Sequence, residues 1–188
     1  RRAEGLRPVY QNIRSSFEHL DGHLNLFTPL QRRLYRKALA ITGLSMRNYI
    51  RDLFAHRFER HKIRVECTEA FLQVEVECYP STLLPALINI VDNAVYWMSS
   101  LQSDRVLTLD VENHALIIAN NGPTIEERDR ARIFERGFSR KPGGRGLGLF
   151  ISYRALEAEN MHLVVETSAG QSGTQFRIEV PKLVHTKS

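Results

Sequence analysis

The sequence predicts an α+β protein in two parts, an N-terminal helical hairpin over residues 1–61 and a two-layer α/β sandwich with a mixed sheet over residues 62–188. Three observations carry this. Apolar residues before Lys62 recur at three- and four-residue spacing, as one face of a helix does. After Lys62 short alternating runs appear, as in half-buried strands. These runs are interleaved with two helical stretches, an order that places helices against one face of a sheet.

The helical part reads as residues 6–20 and 30–60. In the second stretch Met46, Tyr49, Ile50, Leu53, Phe54 and Phe58 form one stripe. Gly43 marks a break and Ser45 a cap, and Asp21-Gly22 and Thr28-Pro29 mark turns or kinks between the helices. Ile63–Cys67 and Phe71–Glu77 read as a β-hairpin. A long helix follows over about residues 82–101, buried through Leu83, Leu84, Leu87, Ile88, Val91, Val95 and Met98, with Pro85 in its first turn. Val106–Val111 and Ala115–Ala119 are the next strands. Residues 120–144 are polar, glycine-containing and arginine-rich, too long for an ordinary connection and so expected to act as a lid. A helix over about 146–159 and strands 162–167 and 174–180 complete the chain.

Composition narrows the function classes. At 188 residues, 43% hydrophobic and 25% charged, the chain has enough apolar matter for one ordinary domain and an appendage. No run approaches the roughly 20 apolar residues that span a bilayer. Arg1 in place of Met points to a piece of a longer protein, with membrane contact only through a missing upstream segment. The net charge of +5 divides unevenly: residues 1–61 hold 12 Lys and Arg against 5 Asp and Glu, and the remainder 14 against 16. The basic half lacks the interleaved aromatics of a single-strand binder, so it reads as a solvated helix face or a surface for an acidic protein, not a nucleic-acid site. Cys67 and Cys78 read first as reduced core thiols and second as a strand-to-strand disulfide.

The chemistry is carried by four clusters. Asn89 and Asn93 stand four apart on one face of the long helix. Two carboxamides aimed into one groove need partners, since an unpaired buried amide costs about 1–3 kcal/mol; magnesium and phosphate oxygens would supply them, and were the pair to stand alone the plainer reading is two asparagines bonded to neighbouring backbone. Asn120-Asn121-Gly122-Pro123 follows a buried strand. Gly143-Gly144-Arg145-Gly146-Leu147-Gly148-Leu149 opens a helix, where backbone amides and the positive helix end favour an anion. Gly173-Thr174 precedes the final strand.

With these residues in order, residues 62–181 resemble the catalytic ATP-binding domain of sensor histidine kinases, of the GHKL or Bergerat fold. Leu87 to Ala94 resembles the N box, Ile118 to Ile125 the G1 box, Ile133 to Ser139 the F box, Gly144 to Leu149 the G2 box and Gly173 to Phe176 the G3 turn. The resemblance implies ATP and Mg2+ as cofactors, with Asn93 ligating the metal and Asn89 beside the phosphates or the metal's water. The glycines Gly144, Gly146 and Gly148 would leave amides free for the triphosphate, and Leu147, Gly122 and Thr174 are also expected among the ATP-binding residues. Arg136, Arg140, Lys141 and Arg145 are candidate phosphate cations, most of them expected to face solvent, while Phe134 and Phe138 are expected to anchor the lid. It also implies a cytoplasmic domain, a homodimer formed by the N-terminal helices and the stripe of 46–58, and a response-regulator receiver domain as partner.

The chain departs from the pattern at several places. Asn120 stands where the family offers an aspartate to the adenine amino group, and Thr124 replaces a glycine. Tyr96 stands where many relatives carry a lysine, leaving a hydroxyl donor and no charge. Modest ATP affinity, and similar binding of ADP, are expected. Asn89 stands where hydrolysing relatives carry a glutamate base, and an amide cannot act as one, which favours phosphotransfer to an imidazole. His23 is out of step by one residue with the usual phosphoacceptor pattern, and His19 has its acid two places on. Either is a candidate acceptor, beside the plainer reading of a surface imidazole, and His56 and His61 fit less well. A nucleotide-hydrolysing switch and a degenerate nucleotide-binding scaffold are the rival readings.

Overall fold

The computed structural model describes residues 37–166 and 173–185. The expected helix over 6–20, and with it His19 and His23, lies outside the described residues. From Ala38 onward the chain forms one compact unit, so the boundary expected between residues 61 and 62 falls inside it.

The first element is a strand, β1 (Leu39–Thr42), where the sequence suggested helix. It pairs antiparallel with β3 (Val74–Cys78), Ile41 opposite Val76. The helix α1 (Gly43–Arg60) begins only after it. Its cap is Thr42, whose Oγ1 accepts the Ser45 N–H at 3.2 Å while Ser45 Oγ donates to the Thr42 carbonyl at 2.7 Å. Gly43 is required by close approach, since a Cβ there would lie 1.6 Å from the Phe71 carbonyl oxygen. The stripe expected to face a second copy is buried within this unit instead: Met46, Ile50, Phe54 and Phe58 belong to its core. Periodicity identifies a covered face but not what covers it.

The expected hairpin does not form. β2 (Ile63–Cys67) pairs in parallel with β4 (Arg105–Glu112), and β3 lies in a different sheet. Thr68 diverts the chain: its N–H donates to Leu109 O at 3.1 Å and its Oγ1 caps the single turn α2 (Glu69–Leu72) by accepting the Phe71 N–H. That turn drops Phe71 into the core.

The long helix α3 (Pro80–Met98) begins on Pro80, so Pro85 is a turn deeper than the sequence suggested, and the helix continues past its ring. β4 and β5 (Ala115–Asn120) are joined by Asn113 and His114, both at positive φ, the geometry of a two-residue hairpin turn. After the lid come α5 (Gly148–Glu157), β6 (His162–Glu166), β7 (Thr174–Glu179) and an unexpected short strand, β8 (Leu183–His185). Within the lid, α4 (Glu127–Arg130) is followed by a 3-10 turn at Arg132–Phe134. The strands make a five-stranded mixed sheet, β2-β4-β5-β7-β6, and a three-stranded sheet, β1-β3-β8. Leu107, Leu109, Leu116, Ile118, Leu163, Phe176 and Ile178 of the larger sheet join the helices in one core. Cys67 and Cys78 are free thiols, and burial pushes Cys78 up to about 12.

Arg105 closes the ends of two helices. Its guanidinium donates to Met98 O at 2.8 Å and Leu101 O at 2.5 Å beyond α3, and to His61 O at 2.6 Å at the end of α1. Helix ends leave carbonyls unpaired, and a cation there also meets the negative end of the helix dipole. Hydrogen bonds to a charged group contribute about 1.5–3 kcal/mol. Arg105→Ala is therefore expected to lower unfolding stability by about 2–3 kcal/mol in a urea titration; a loss within error of zero would remove this role.

Candidate functional site

A cleft of about 570 Å³ opens between α3, the end of β5, the lid and the start of α5. Its position follows from the packing of α3. Leu83, Leu87, Ile90, Val91, Ala94 and Val95 face the core, which leaves Asn89 and Asn93 on the neighbouring side, and both line the cleft.

Asn89 joins α3 to α5: its Nδ2 donates to Gly148 O at 3.2 Å and to the buried Ser152 Oγ at 2.9 Å. The glycine loop is thereby hung opposite Asn93. Asn93 itself is half-buried, and its carboxamide makes no hydrogen bond among the described residues. An unpartnered amide oxygen at the wall of a cleft suits a hard cation that prefers oxygen ligands, as magnesium does. No group of three or more His, Cys, Asp or Glu among the described residues forms a metal site of its own.

At the other end of the cleft Asn120 is 8% exposed. Its Oδ1 accepts the Gly122 N–H at 2.9 Å and its Nδ2 donates to Thr174 O at 3.2 Å, so its orientation is fixed by one donor and one acceptor. A carboxylate here would meet the Thr174 carbonyl with like charge. Thr174 Oγ1 donates in turn to Pro123 O at 3.0 Å. Asn121 is structural: it accepts from Val106 N at 2.9 Å and donates to Asp104 O at 2.7 Å, which fastens the loop to β4.

The lid cations differ sharply. Arg140 grips the buried Asp129 through two bonds of 2.9 Å, and that contact holds the Asp129 carboxyl below its usual range. Lys141 Nζ lies 3.2 Å from Asp92 Oδ2 and 4.6 Å from the centre of the Tyr96 ring. Asp92 also receives Arg57 of α1 at 2.6 Å. Burial alone would raise Asp92, but the Arg57 hydrogen bond and the Lys141 charge outweigh it and the carboxyl is lowered. Arg145 lines the cleft and has neither ion pair nor hydrogen bond among the described residues.

Of the residues named from the sequence, Asn89, Asn93, Asn120, Arg140, Lys141, Gly144, Arg145, Gly146, Leu147, Gly148 and Thr174 line this one cleft. Tyr96, Gly122 and Arg136 do not: Tyr96 lies beneath Lys141, Gly122 serves Asn120, and Arg136 is exposed outside it. Phe134 anchors the lid by stacking on Tyr153, with ring centres 5.1 Å apart. Phe138 lines the cleft between Arg132 and Arg140, so it is not simply an apolar anchor. The sequence reading missed Trp97 and Asp129. Trp97 falls on the four-residue beat of 89 and 93, a signal that could have found it, and Asp129 carries no motif.

Comparison with known proteins agrees with the geometry. Residues 78–184 match the family described as histidine kinase-, DNA gyrase B-, and HSP90-like ATPases, and residues 1–36 match the HEF_HK domain. The chain belongs to that ATPase family. It is 29% identical over 187 residues to the sensor protein TdiS of Thauera aromatica, covering 94% of this chain and 34% of the relative. It is 31% identical over 108 residues to sporulation kinase E of Bacillus subtilis, covering 56% of this chain and 14% of the relative. It therefore spans about a third of the length of the first and about a seventh of the second. The solved mycobacterial sensor histidine kinase MprB superposes with a TM-score of 0.60 at 27% identity, covering 79% of this chain and 97% of that one.

Two outcomes test the site. Gly146 sits at φ +60°, where a Cβ would come within 2.4 Å of Phe138 O, and its carbonyl accepts the Gly137 N–H at 3.0 Å. Gly146→Ala is expected to weaken nucleotide binding about tenfold or more, read from Trp97 emission, because it distorts the loop; unchanged affinity would place the loop outside the site. The second concerns Asp92. A lowered folded pKa means that its contribution to stability is complete above the unfolded value of about 3.9 and is lost as pH falls through the folded one. The stability gap between wild type and Asp92→Asn should therefore be larger at pH 7 than at pH 2–3. An equal gap at both would show that its charge anchors nothing.

Proposed function

We propose that the chain is the ATP-using core of a sensor histidine kinase, which transfers the γ-phosphoryl group of ATP to a histidine and from there to an aspartate on a response-regulator receiver domain. The observation that carries this reading is the unpartnered Asn93 carboxamide facing a glycine loop that Asn89 holds in place. Asn93 would hold Mg2+, which when bound neutralises phosphate charge. The glycine loop lies at the N-terminus of α5, where backbone amides favour an anion.

Transfer is favoured over hydrolysis by the carboxylates in the cleft and beside it. Glu126 is paired with Arg128, at 2.7 Å, and Asp129 with Arg140. Asp92, one residue from Asn93, is held by two cations and lowered in pKa. Each is engaged by a cation, so none stands free to take a proton from water. A neutral imidazole carries its own lone pair and attacks phosphorus without one, ADP leaving as the new N–P bond forms. Residues 1–37 supply the candidate acceptors His19 and His23, and the homodimer is assigned to that region, because the stripe of 46–58 is already covered. The whole would act on the cytoplasmic side of any membrane segment upstream.

The rival is a nucleotide-binding scaffold without transfer, favoured by Asn120, both ends of whose amide are engaged within the chain. Incubating the full-length protein with Mg2+ and γ-labelled ATP decides between them. Expected is a label on the protein that is lost in acid and survives base, and that disappears when His19 and His23 are both replaced. Nucleotide bound without any label would favour the scaffold, and free phosphate released without label the hydrolase.

A further inference from the structure

We propose that Asn120 sets the base class of this cleft, which accepts 6-keto purine nucleotides as readily as 6-amino ones. The proposal rests on the nucleotide reading above and assigns the base within it.

The cleft divides by chemistry. The glycine loop, the start of α5 and Asn93 form the part suited to an anion and a metal. The far end is walled differently. Asn120, the last residue of β5, lies opposite Thr174, and Phe176 stands two residues on, along the same face of β7. Ala94 and Ile125 line the cleft as well. An aromatic base needs apolar walls and a polar group to orient it. Among the described residues, the buried polar side chains that line the cleft are Asn120, Asp129 and Thr174. Asp129 is taken up by Arg140, and the Thr174 hydroxyl hydrogen by Pro123 O. Asn120 is left to read a base.

Its amide is set in one orientation. Oδ1 accepts the Gly122 N–H and Nδ2 donates to Thr174 O; turned over, the amide would meet donor with donor and acceptor with acceptor. Each end keeps one bond to give, a second lone pair on Oδ1 and a second hydrogen on Nδ2. A 6-amino purine offers a donor at position 6 and an acceptor at N1, and a 6-keto purine offers the reverse. An amide has a partner for both groups of either edge. A carboxylate has acceptors alone, so it binds the amino group and repels the keto oxygen. With asparagine at 120 the cleft lacks the repulsion that would exclude hypoxanthine or guanine.

Calorimetric titration of the 188-residue chain tests this with the magnesium complexes of ATP, of ITP, whose base is hypoxanthine, and of purine riboside triphosphate, which carries only hydrogen at position 6. Wild type should bind ATP and ITP within about threefold of each other, and the unsubstituted purine about fivefold more weakly than either. Asn120→Asp, with its fold checked by circular dichroism, should prefer ATP over ITP by about tenfold or more. A wild-type preference for ATP over ITP beyond that range, equal binding of all three, or a folded Asn120→Asp that treats ATP and ITP alike overturns the proposal. Should Asn120→Asp fail to fold, the three wild-type titrations decide alone. Wild type binding none of the three would instead remove the nucleotide reading itself, and this proposal with it.

Discussion

The hydrogen bonds of one side chain, Asn89, set the geometry on which the cleft depends. Helix α3 packs into the core through ten of its nineteen residues; the glycine loop, with four exposed residues in succession from Pro142 to Arg145, has little packing of its own. Asn89 transmits the rigidity of the first to the second by donating to Gly148 O and Ser152 Oγ. A Cβ at position 148 would come 3.3 Å from Asn89 Oδ1, so a small residue at 148 and an amide at 89 are a single requirement. A glutamate at 89 would present only acceptors to the Gly148 carbonyl, also an acceptor, and the link would be lost. The amide at 89 is thus the group that holds the loop.

The parts of the fold legible in the sequence are those whose signal is local. The face shared by Asn89 and Asn93, the glycines at the start of α5 and the alternation in β4 and β5 are read within a few residues, and each is found where its pattern places it. What was not legible depends on partners far along the chain. Leu39–Thr42 has no strand signature long enough to read, and becomes a strand because Val74–Cys78 lies beside it. Ile63–Cys67 and the next apolar run have hairpin spacing, yet Thr68 finds Leu109 and Asp110, more than forty residues away, and parts them. The apolar stripe of α1 predicts a covered face, and Met46, Ile50, Phe54 and Phe58 are covered by the same unit, since amphipathicity is the same whether a second chain or the same chain covers it.

The same division holds among the charges. Arg140, Lys141 and Arg145 look equivalent in sequence, three cations within six residues. Their roles separate only through acids elsewhere, Asp129 eleven residues back for one and Asp92 in another helix for the second. Asp92 stands within the motif, but its link to Arg57 crosses 35 residues and has no local signal.

That link bears on how the lid is governed. Arg57 and Lys141 share one carboxylate, so each lowers the electrostatic gain that the other draws from it. Arg57 belongs to α1, the helix that follows directly from the strand where the chain enters the compact unit. Asp92 belongs to the rigid α3, and Lys141 to the lid. Any shift of α1 that weakens the 2.6 Å contact leaves Asp92 to Lys141 alone and holds the lid more firmly; a shift that tightens it does the reverse. The pairs are partly exposed, so the coupling is modest, on the scale of surface ion pairs at about 0.2–1 kcal/mol. A shift of that size in the lid changes its population by a factor of about five at most, enough to grade the activity of a site but not to switch it fully.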